Sequence, residues 1–335
     1  MDNRLQLAKD NLLKNGFLDI EIDRNLNLFK ETEKLKKEKN AIILGHYYQV
    51  PAIQDVSDFV GDSLGLAQKA AATDAEIIMF AGVHFMAETA KMLNPGKKVL
   101  LPDLNAGCSL ANSAPAPIFK SFKAQYPDHV VVSYVNSSAE LKTMTDICCT
   151  SSNAVHVINS IPKDKGIIFA PDRNLGAYLM KKTGREMILW HGVCQVHEMF
   201  SWEKISQAMR EHPEAEFIAH PECEPHVLEI ADFVGSTSQL LKHVKNSKTK
   251  EFIVATEPGI LYQMQKSAPG KKLFSAPPTT TCACNECPFM KMNTLEKLYI
   301  ALKYELPEVI LDKKIIKEGR VCIDRMLDIR KKAGL

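Results

Sequence analysis

The sequence repeats one order of elements three times: a helical segment, a buried strand, a second strand with its helix, and a third strand. The first strands carry AIILGHYYQ at 41–49, VVVSYVNSS at 130–138 and FIAHPEC at 217–223. Strand patterns that alternate with helical patterns are typical of parallel sheets with helices on their faces. A repeat of about 90 residues is too long for a solenoid. The chain is therefore predicted to be an α/β protein with three small αβα domains.

The repeats give predicted domain boundaries. The first domain takes residues 1–112 with the helical segment 288–335, the second takes 113–198, and the third takes 199–287. Ligands of open parallel sheets bind beyond the carboxyl ends of the strands. We therefore expect three pseudosymmetric domains to direct their strand ends towards one central active site.

Composition excludes several classes of protein. The chain is 45% hydrophobic and 24% charged, with a net charge of +2, so it has no basic field for nucleic acid or an anionic membrane. No apolar run approaches the roughly 20 residues needed to span a bilayer, and the N-terminus has no signal-peptide core. We expect a cytoplasmic protein with no nucleic-acid or membrane partner, whose nine cysteines stay reduced.

Three of the cysteines close the three repeats. Cys108, Cys194 and Cys287 are separated by 86 and 93 residues. Thiolates are the usual ligands of iron–sulfur clusters, and three ligands would leave one iron of a 4Fe–4S cluster open as a Lewis acid. Two alternatives stay open at this point. The three could be buried structural cysteines, or Cys282, Cys284 and Cys287 could form a local zinc site, although C-x-C is tighter than the usual spacing.

A second set of repeated positions lies at the strand ends. One member ends each first strand, and another follows two residues later. Imidazole, phenol and carboxylate groups near a bound substrate can transfer protons, whereas a single His or Tyr there is more often structural. The set is His46, Tyr48, Tyr134, Asn136, His220 and Glu222.

A third set carries hydroxyls. Ser63, Ser151 and Thr237 each follow a strand end by seventeen residues, counted from 46, 134 and 220. A hydroxyl and free N–H groups at a helix N-terminus can bind phosphate or carboxylate, and simple N-capping is the alternative. Three such positions indicate a substrate with several anionic groups.

Taken in order, the motifs resemble the quinolinate synthase family over about residues 25–330. They are GHYYQ at 45–49, GDSLGLA at 61–67, GCSLA at 107–111, YVNSSAELK at 134–142, CTSSNA at 149–154, HGVCQVHE at 191–198, AHPEC at 219–223, GSTS at 235–238 and ECPFMKMN at 286–293. This chain departs from some members in the last motif, where it has CxCxxC instead of CxxCxxC.

The resemblance implies a transferase of de novo NAD biosynthesis. It implies that iminoaspartate condenses with dihydroxyacetone phosphate to give quinolinate, phosphate and water, with L-aspartate oxidase as the functional source of iminoaspartate. The implied cofactor is one 4Fe–4S cluster held by Cys108, Cys194 and Cys287. Glu222, Tyr48 and His220 would be catalytic. The implied substrate-binding residues are His46, Ser63, Tyr134, Asn136, Ser151, His197 and Thr237.

Two other functions remain open on the sequence. A non-enzymatic iron–sulfur sensor or electron carrier would normally have four protein ligands and no substrate cavity. A zinc hydrolase would use His or carboxylate ligands and would survive exposure to air. Spectroscopy of the cluster with and without substrate-like anions distinguishes the first from an enzyme.

Overall fold

The computed structural model describes residues 3–279 and 285–334. The chain divides into two compact units. The first unit contains residues 1–108 and 288–317, and the second contains residues 109–287 and 318–335. The division into three domains that the sequence predicts stays a prediction.

The first third of the chain contains one sheet and six helices. Its strands are β1 (Ala41–His46), β2 (Phe59–Gly61), β3 (Ile77–Ala81) and β4 (Lys98–Leu100). Its helices are α1 (Asn3–Asp10), α2 (Leu12–Asn15), α3 (Leu28–Glu38), α4 (Pro51–Val56), α5 (Ser63–Ala72) and α6 (His84–Leu93).

The middle of the chain repeats this order. Its strands are β5 (Val130–Tyr134), β6 (Ile147–Cys149), β7 (Ile167–Ala170) and β8 (Ile188–Leu189). Its helices are α7 (Ser109–Asn112), α8 (Ala116–Lys123), α9 (Ala139–Lys142), α10 (Ala154–Asn159), α11 (Arg173–Thr183) and α12 (Gln195–Glu198).

The last third holds the third sheet and the C-terminal helices. Its strands are β9 (Ala215–Ala219), β10 (Phe233–Val234), β11 (Glu251–Ala255) and β12 (Lys272–Ser275). Its helices are α13 (Trp202–Glu211), α14 (Pro225–Leu228), α15 (Thr237–Asn246), α16 (Ile260–Ser267), α17 (Pro288–Lys291), α18 (Leu295–Tyr304) and α19 (Lys313–Ala333).

All three sheets have the same topology. Their strand orders are β2-β1-β3-β4, β6-β5-β7-β8 and β10-β9-β11-β12, and every pairing within them is parallel. The central strands are buried runs of apolar residues, as expected where helices cover both faces of a parallel sheet. The predicted α/β class with three small parallel sheets is confirmed.

A repeated aspartate joins the first two strands of each sheet. Asp58, Asp146 and Asp232 each precede the second strand, and one carboxylate oxygen of each accepts a first-strand backbone N–H at 2.8 Å. The donors lie fifteen residues earlier, at Ile43, Val131 and Phe217. The repeat is therefore preserved in side-chain hydrogen bonds as well as in strand order.

The last strand of each sheet, β4, β8 or β12, ends before the cysteine at the end of its repeat. They stop at Leu100, Leu189 and Ser275, so each predicted ligand lies in a loop beyond its strand. Pro102 and Pro277 follow the first and third of these strand ends. Proline has no N–H to continue a strand ladder, which explains the early ends in those two sheets.

The C-terminal helices join different units. In the first unit, α18 packs Leu298 and Leu302 into the apolar cluster beneath β1 and β3. In the second unit, α19 buries Cys322, whose Sγ lies 3.1 Å from the Sγ of Cys148 in β6. Arg325 of the same helix donates from Nη1 to the Asp146 carbonyl at 2.8 Å.

Candidate active site

A histidine at the strand end fixes the residue two positions later in the first and third repeats. The Nδ1 atom of His46 accepts the backbone N–H of Tyr48 at 3.1 Å. The Nδ1 atom of His220 accepts the backbone N–H of Glu222 at 3.4 Å. The chain therefore turns back on the imidazole, and the side chains of each pair lie side by side just beyond the sheet.

Glu222 is the centre of a buried polar group in the second unit. The Tyr134 hydroxyl donates to Glu222 Oε1 at 2.6 Å. His220 Nδ1 lies 3.5 Å from that same oxygen, and His197 Nδ1 lies 3.5 Å from Oε2. None of the four side chains is more than 4% exposed. A buried carboxylate is costly unless it is paired and hydrogen-bonded, and both conditions are met here.

The Nε2 atom of each of the two imidazoles lies within hydrogen-bonding distance of a hydroxyl group. His197 Nε2 lies 3.0 Å from Thr256 Oγ1, and His220 Nε2 lies 3.2 Å from Ser151 Oγ. The two rings have centroids 4.8 Å apart and are tilted by 30°. The fold thus brings together five of the residues predicted from sequence, and Thr256 joins them. The five are Tyr134, Ser151, His197, His220 and Glu222.

The surroundings of Glu222 keep it ionised. Burial by itself would raise the pKa of this carboxyl group, but the charges of His197 and His220 and the hydroxyl of Tyr134 lower the pKa to about 2. The group is therefore a carboxylate at neutral pH and can accept a proton.

Asp172 is a second buried acid, which the sequence prediction missed. Its Oδ1 accepts the backbone N–H of Leu175 at 2.7 Å and caps α11. Its Oδ2 is buried and has no hydrogen-bond partner among the described residues. Burial and the nearby charge of Glu222 raise the pKa of Asp172 well above its usual range. Two carboxyl groups whose pKa values are shifted in opposite directions are typical of acid–base sites.

A sequence signal for Asp172 did exist. Asp172 follows β7 by two residues, and Glu257 follows β11 by two residues, so they occupy one repeat position. Both are fully buried. Glu257 accepts the backbone N–H of Cys287 at 3.3 Å through Oε1 and that of Gly259 at 2.7 Å through Oε2. The carboxylate thus fixes the loop that carries the third predicted cysteine ligand.

The three predicted cysteine ligands have equivalent surroundings. Cys108, Cys194 and Cys287 each directly precede a helix of four residues, namely α7, α12 or α17. All three are half-buried, whereas the other four cysteines of the described residues are buried. Burial raises the pKa of Cys149 and Cys223. Only the repeated cysteines combine partial exposure with equivalent positions, which fits ligands better than core residues. Cys282 and Cys284 lie outside the described residues.

Two of the predicted hydroxyl positions are first helical residues and not caps. Asp62 caps α5 through a bond from the Gly65 N–H, and Ser236 caps α15 through a bond from the Gln239 N–H. Ser63 and Thr237 therefore follow a cap formed by their neighbour. N-capping does not account for either hydroxyl.

The remaining predicted residues are placed as follows. In the first unit, the His46 ring lies edge-on to the Tyr48 ring, with centroids 4.5 Å apart. Ser63 begins α5 and Cys108 precedes α7 in that unit. In the second unit, the Oδ1 atom of Asn136 is buried and has no hydrogen-bond partner among the described residues.

Comparison with known proteins decides which family the chain belongs to. The family model described as "Quinolinate synthetase A protein" matches residues 30–328. The chain belongs to the quinolinate synthetase A family. The resemblance seen in the sequence motifs is thereby confirmed.

Relatives in the quinolinate synthetase A family cover nearly the whole chain. The quinolinate synthase of Gloeothece citriformis is 61% identical over 305 residues, which are 91% of this chain and 94% of the relative. That of Nostoc punctiforme is 62% identical over 304 residues, with the same two shares. That of Cyanophora paradoxa is 58% identical over 302 residues, or 90% of this chain and 92% of the relative.

One solved structure has a weak likeness to this member of the family. It is the E-1-hydroxy-2-methyl-but-2-enyl-4-diphosphate reductase from Plasmodium falciparum, with a TM-score of 0.33 and 13% identity over 83% of this chain and 93% of that one. At that level the likeness supports no conclusion. Within residues 3–279 and 285–334, no helix combines the length and apolarity needed to cross a membrane.

Proposed function

We propose that the chain is a quinolinate synthase that condenses iminoaspartate with dihydroxyacetone phosphate, releasing phosphate and water. This is a transferase reaction of de novo NAD biosynthesis, carried out in the cytoplasm. Family membership supports the activity, since the relatives bear the name quinolinate synthase. The observation that carries the proposal at the site is the buried Glu222 carboxylate with its tyrosine and two histidines.

The proposed cofactor is a 4Fe–4S cluster bound by Cys108, Cys194 and Cys287. Their partial exposure and their equivalent positions before short helices support this ligand set. When bound, a cluster with three thiolate ligands supplies an open iron as a Lewis acid that can polarise a leaving hydroxyl.

Proton transfer is assigned to Glu222, His220 and Tyr48. Glu222 is ionised at neutral pH and can accept a proton at Oε2, because Oε1 already accepts the Tyr134 hydroxyl. His220 lies beside the carboxylate and can take part in the transfer, while Ser151 holds the other side of its ring. Tyr48, half-buried beside His46, has a phenol to donate.

Substrate binding is assigned to the hydroxyl, amide and remaining histidine positions. Both substrates are anionic, and helix N-termini favour phosphate and carboxylate groups. Ser63 and Thr237 begin helices of ten residues, so a hydroxyl and backbone N–H groups occur together there. The buried Asn136 Oδ1 leaves an acceptor for a hydroxyl or amine of the substrate. The proposed set is His46, Ser63, Tyr134, Asn136, Ser151, His197 and Thr237.

Single replacement of each proposed ligand by serine tests the cofactor assignment. Prepared without oxygen, the unmodified protein should contain about four iron and four sulfide per chain. Cys108→Ser, Cys194→Ser and Cys287→Ser should each lose the cluster and quinolinate formation. Cys322→Ser, at a buried cysteine outside the site, is the matched control and should keep both.

Two outcomes would contradict the proposal. A normal cluster and full turnover in any one of the three ligand variants would remove that cysteine from the set. The unmodified protein could instead form a cluster but no quinolinate, with a cluster spectrum that is unchanged by quinolinate or phosphate-bearing anions. That result would favour an iron–sulfur sensor. Because iminoaspartate hydrolyses readily, the assay needs L-aspartate oxidase to generate it during the reaction.

A further inference from the structure

A nitrogen atom of His197 and a carboxylate oxygen of Glu222 are buried beside each other in the second unit. His197 Nδ1 lies 3.5 Å from Glu222 Oε2 and has no hydrogen-bond partner among the described residues. The histidine is 2% exposed and the glutamate 3%. A cation beside these atoms would accept a lone pair from each of them.

The second ring nitrogen of His197, Nε2, has the kind of hydrogen-bond partner that metal-binding histidines usually have. Its Nε2 lies 3.0 Å from the Thr256 hydroxyl. A histidine that binds a metal through one ring nitrogen usually makes a hydrogen bond through the other, which fixes the ring orientation. Thr256 therefore directs Nδ1 towards Glu222 whether or not an ion is bound.

A thiol completes a set of three donors. One ligand atom each from Cys194, His197 and Glu222 lies within 4.8 Å of the other two. Donor atoms around tetrahedral zinc are about 3.3 to 3.8 Å apart. The His197–Glu222 pair is already at that separation, and Cys194 is half-buried, so rotation of its side chain can close the set.

We propose that Cys194, His197 and Glu222 bind one zinc ion in protein that carries no cluster. Mixed sulfur, nitrogen and carboxylate ligands suit zinc, and three protein ligands with water in the fourth position are common. Magnesium and calcium prefer oxygen ligands alone and are disfavoured by the thiolate. All three residues also have roles in the proposed function, because Cys194 is assigned to the cluster, Glu222 to proton transfer and His197 to substrate binding. Zinc and the cluster exclude each other at Cys194.

Anaerobic zinc titration of cluster-free protein tests the proposal. The starting protein carries Cys282→Ser and Cys284→Ser, because these thiols could bind zinc by themselves. Zinc affinity is measured by competition with a chromophoric chelator, and bound zinc is counted after gel filtration. The starting protein should bind one zinc ion per chain.

Ligand variants should weaken this binding strongly. Cys194→Ser, His197→Ala and Glu222→Gln should each reduce zinc affinity by more than about 100-fold, the upper range for loss of an outer partner. Thr256→Val keeps the side-chain volume and removes the hydroxyl beside Nε2, so it should lower zinc affinity by about 10- to 100-fold. Cobalt(II) in place of zinc adds a spectroscopic readout, since its thiolate charge-transfer band should vanish in Cys194→Ser.

The other two predicted cluster ligands provide the decisive controls. Cys108→Ser and Cys287→Ser should bind zinc with unchanged affinity, although both should fail to assemble a cluster. Loss of zinc in either would mean that the three cysteines hold the ion together, and the proposal would be overturned. Unchanged affinity in His197→Ala, or no zinc in the starting protein, would overturn it equally. Iron and sulfide counts on the same variants judge the cluster assignment separately.

Discussion

The strand ends of the first and third repeats share one backbone device and differ in chemistry. In both, a histidine Nδ1 accepts the N–H of the residue two positions later. In the first repeat that residue is Tyr48, which is half-buried and packs on the His46 ring. In the third it is Glu222, which is buried and paired with two imidazoles. The repeat conserves the scaffold, and one side chain decides whether a strand end carries charge.

The middle repeat explains how the charge is tolerated. Tyr134 ends β5, at the position equivalent to the histidines, and its hydroxyl donates to Glu222 Oε1 at 2.6 Å. One repeat thus supplies the carboxylate, and another supplies a short hydrogen bond to it. Substitutions at the strand ends can test this division of roles.

Replacement of Glu222 should have the largest effect on turnover. Glu222→Gln keeps the shape and removes the charge, so quinolinate formation should fall by about 10²- to 10⁴-fold, the usual contribution of a general acid or base. Glu224→Gln, the same change at a half-buried position two residues away, is the matched control and should retain turnover. Full turnover in Glu222→Gln would exclude an acid–base role for this carboxylate.

The Glu222 carboxylate should also make the free energy of unfolding depend on pH. A pKa lowered from 4.5 to about 2 on folding favours the native state above pH 4.5, and the gain is lost as pH falls towards 2. The shift corresponds to roughly 3 kcal/mol of free energy of unfolding. Urea denaturation across this range should show the deficit of Glu222→Gln relative to the unmodified protein shrinking with acid. A deficit independent of pH would show that the charge of Glu222 is not its cause.

Equal changes at two tyrosines should have unequal effects on stability. Tyr134→Phe removes a hydrogen bond to a buried charge and should lower the free energy of unfolding by about 1.5–3 kcal/mol. Tyr48→Phe, at the half-buried end of the first repeat, should change it by less than about 0.5 kcal/mol. Urea denaturation measures the free energy of unfolding of both variants. Equal losses would show that the two tyrosine hydroxyls contribute equally to stability.

Loss of the repeated aspartate should have the same effect on stability in two repeats. Asp146→Ala and Asp232→Ala each remove one 2.8 Å hydrogen bond from a first-strand N–H. Each change should lower the free energy of unfolding by about 1 kcal/mol. Asp58 is a poorer comparison, because it also pairs with Lys36 Nζ at 2.8 Å. Clearly different losses for Asp146 and Asp232 would show that the repeated hydrogen bond is not energetically equivalent.

The sequence by itself determined the class of fold and the repeated positions. Apolar runs of strand length alternating with helical patterns require parallel sheets with covered faces, and the equal spacing from His46, Tyr134 and His220 located equivalent strand ends. The repeated cysteines were found in the same way, and the structure gives each of them a short helix at its next residue. These features are local or periodic, so they can be detected along the chain.

Tertiary structure alone decided the ionisation and pairing of the site. Tyr134, His197 and Glu222 are far apart along the chain, and no spacing rule predicts that a tyrosine of one repeat donates to a carboxylate of another. Asp172 was missed because an acid directly before a helix is typical of a simple cap. Its raised pKa and the lowered pKa of Glu222 depend on burial and on neighbouring charge, which exist only after the chain has folded.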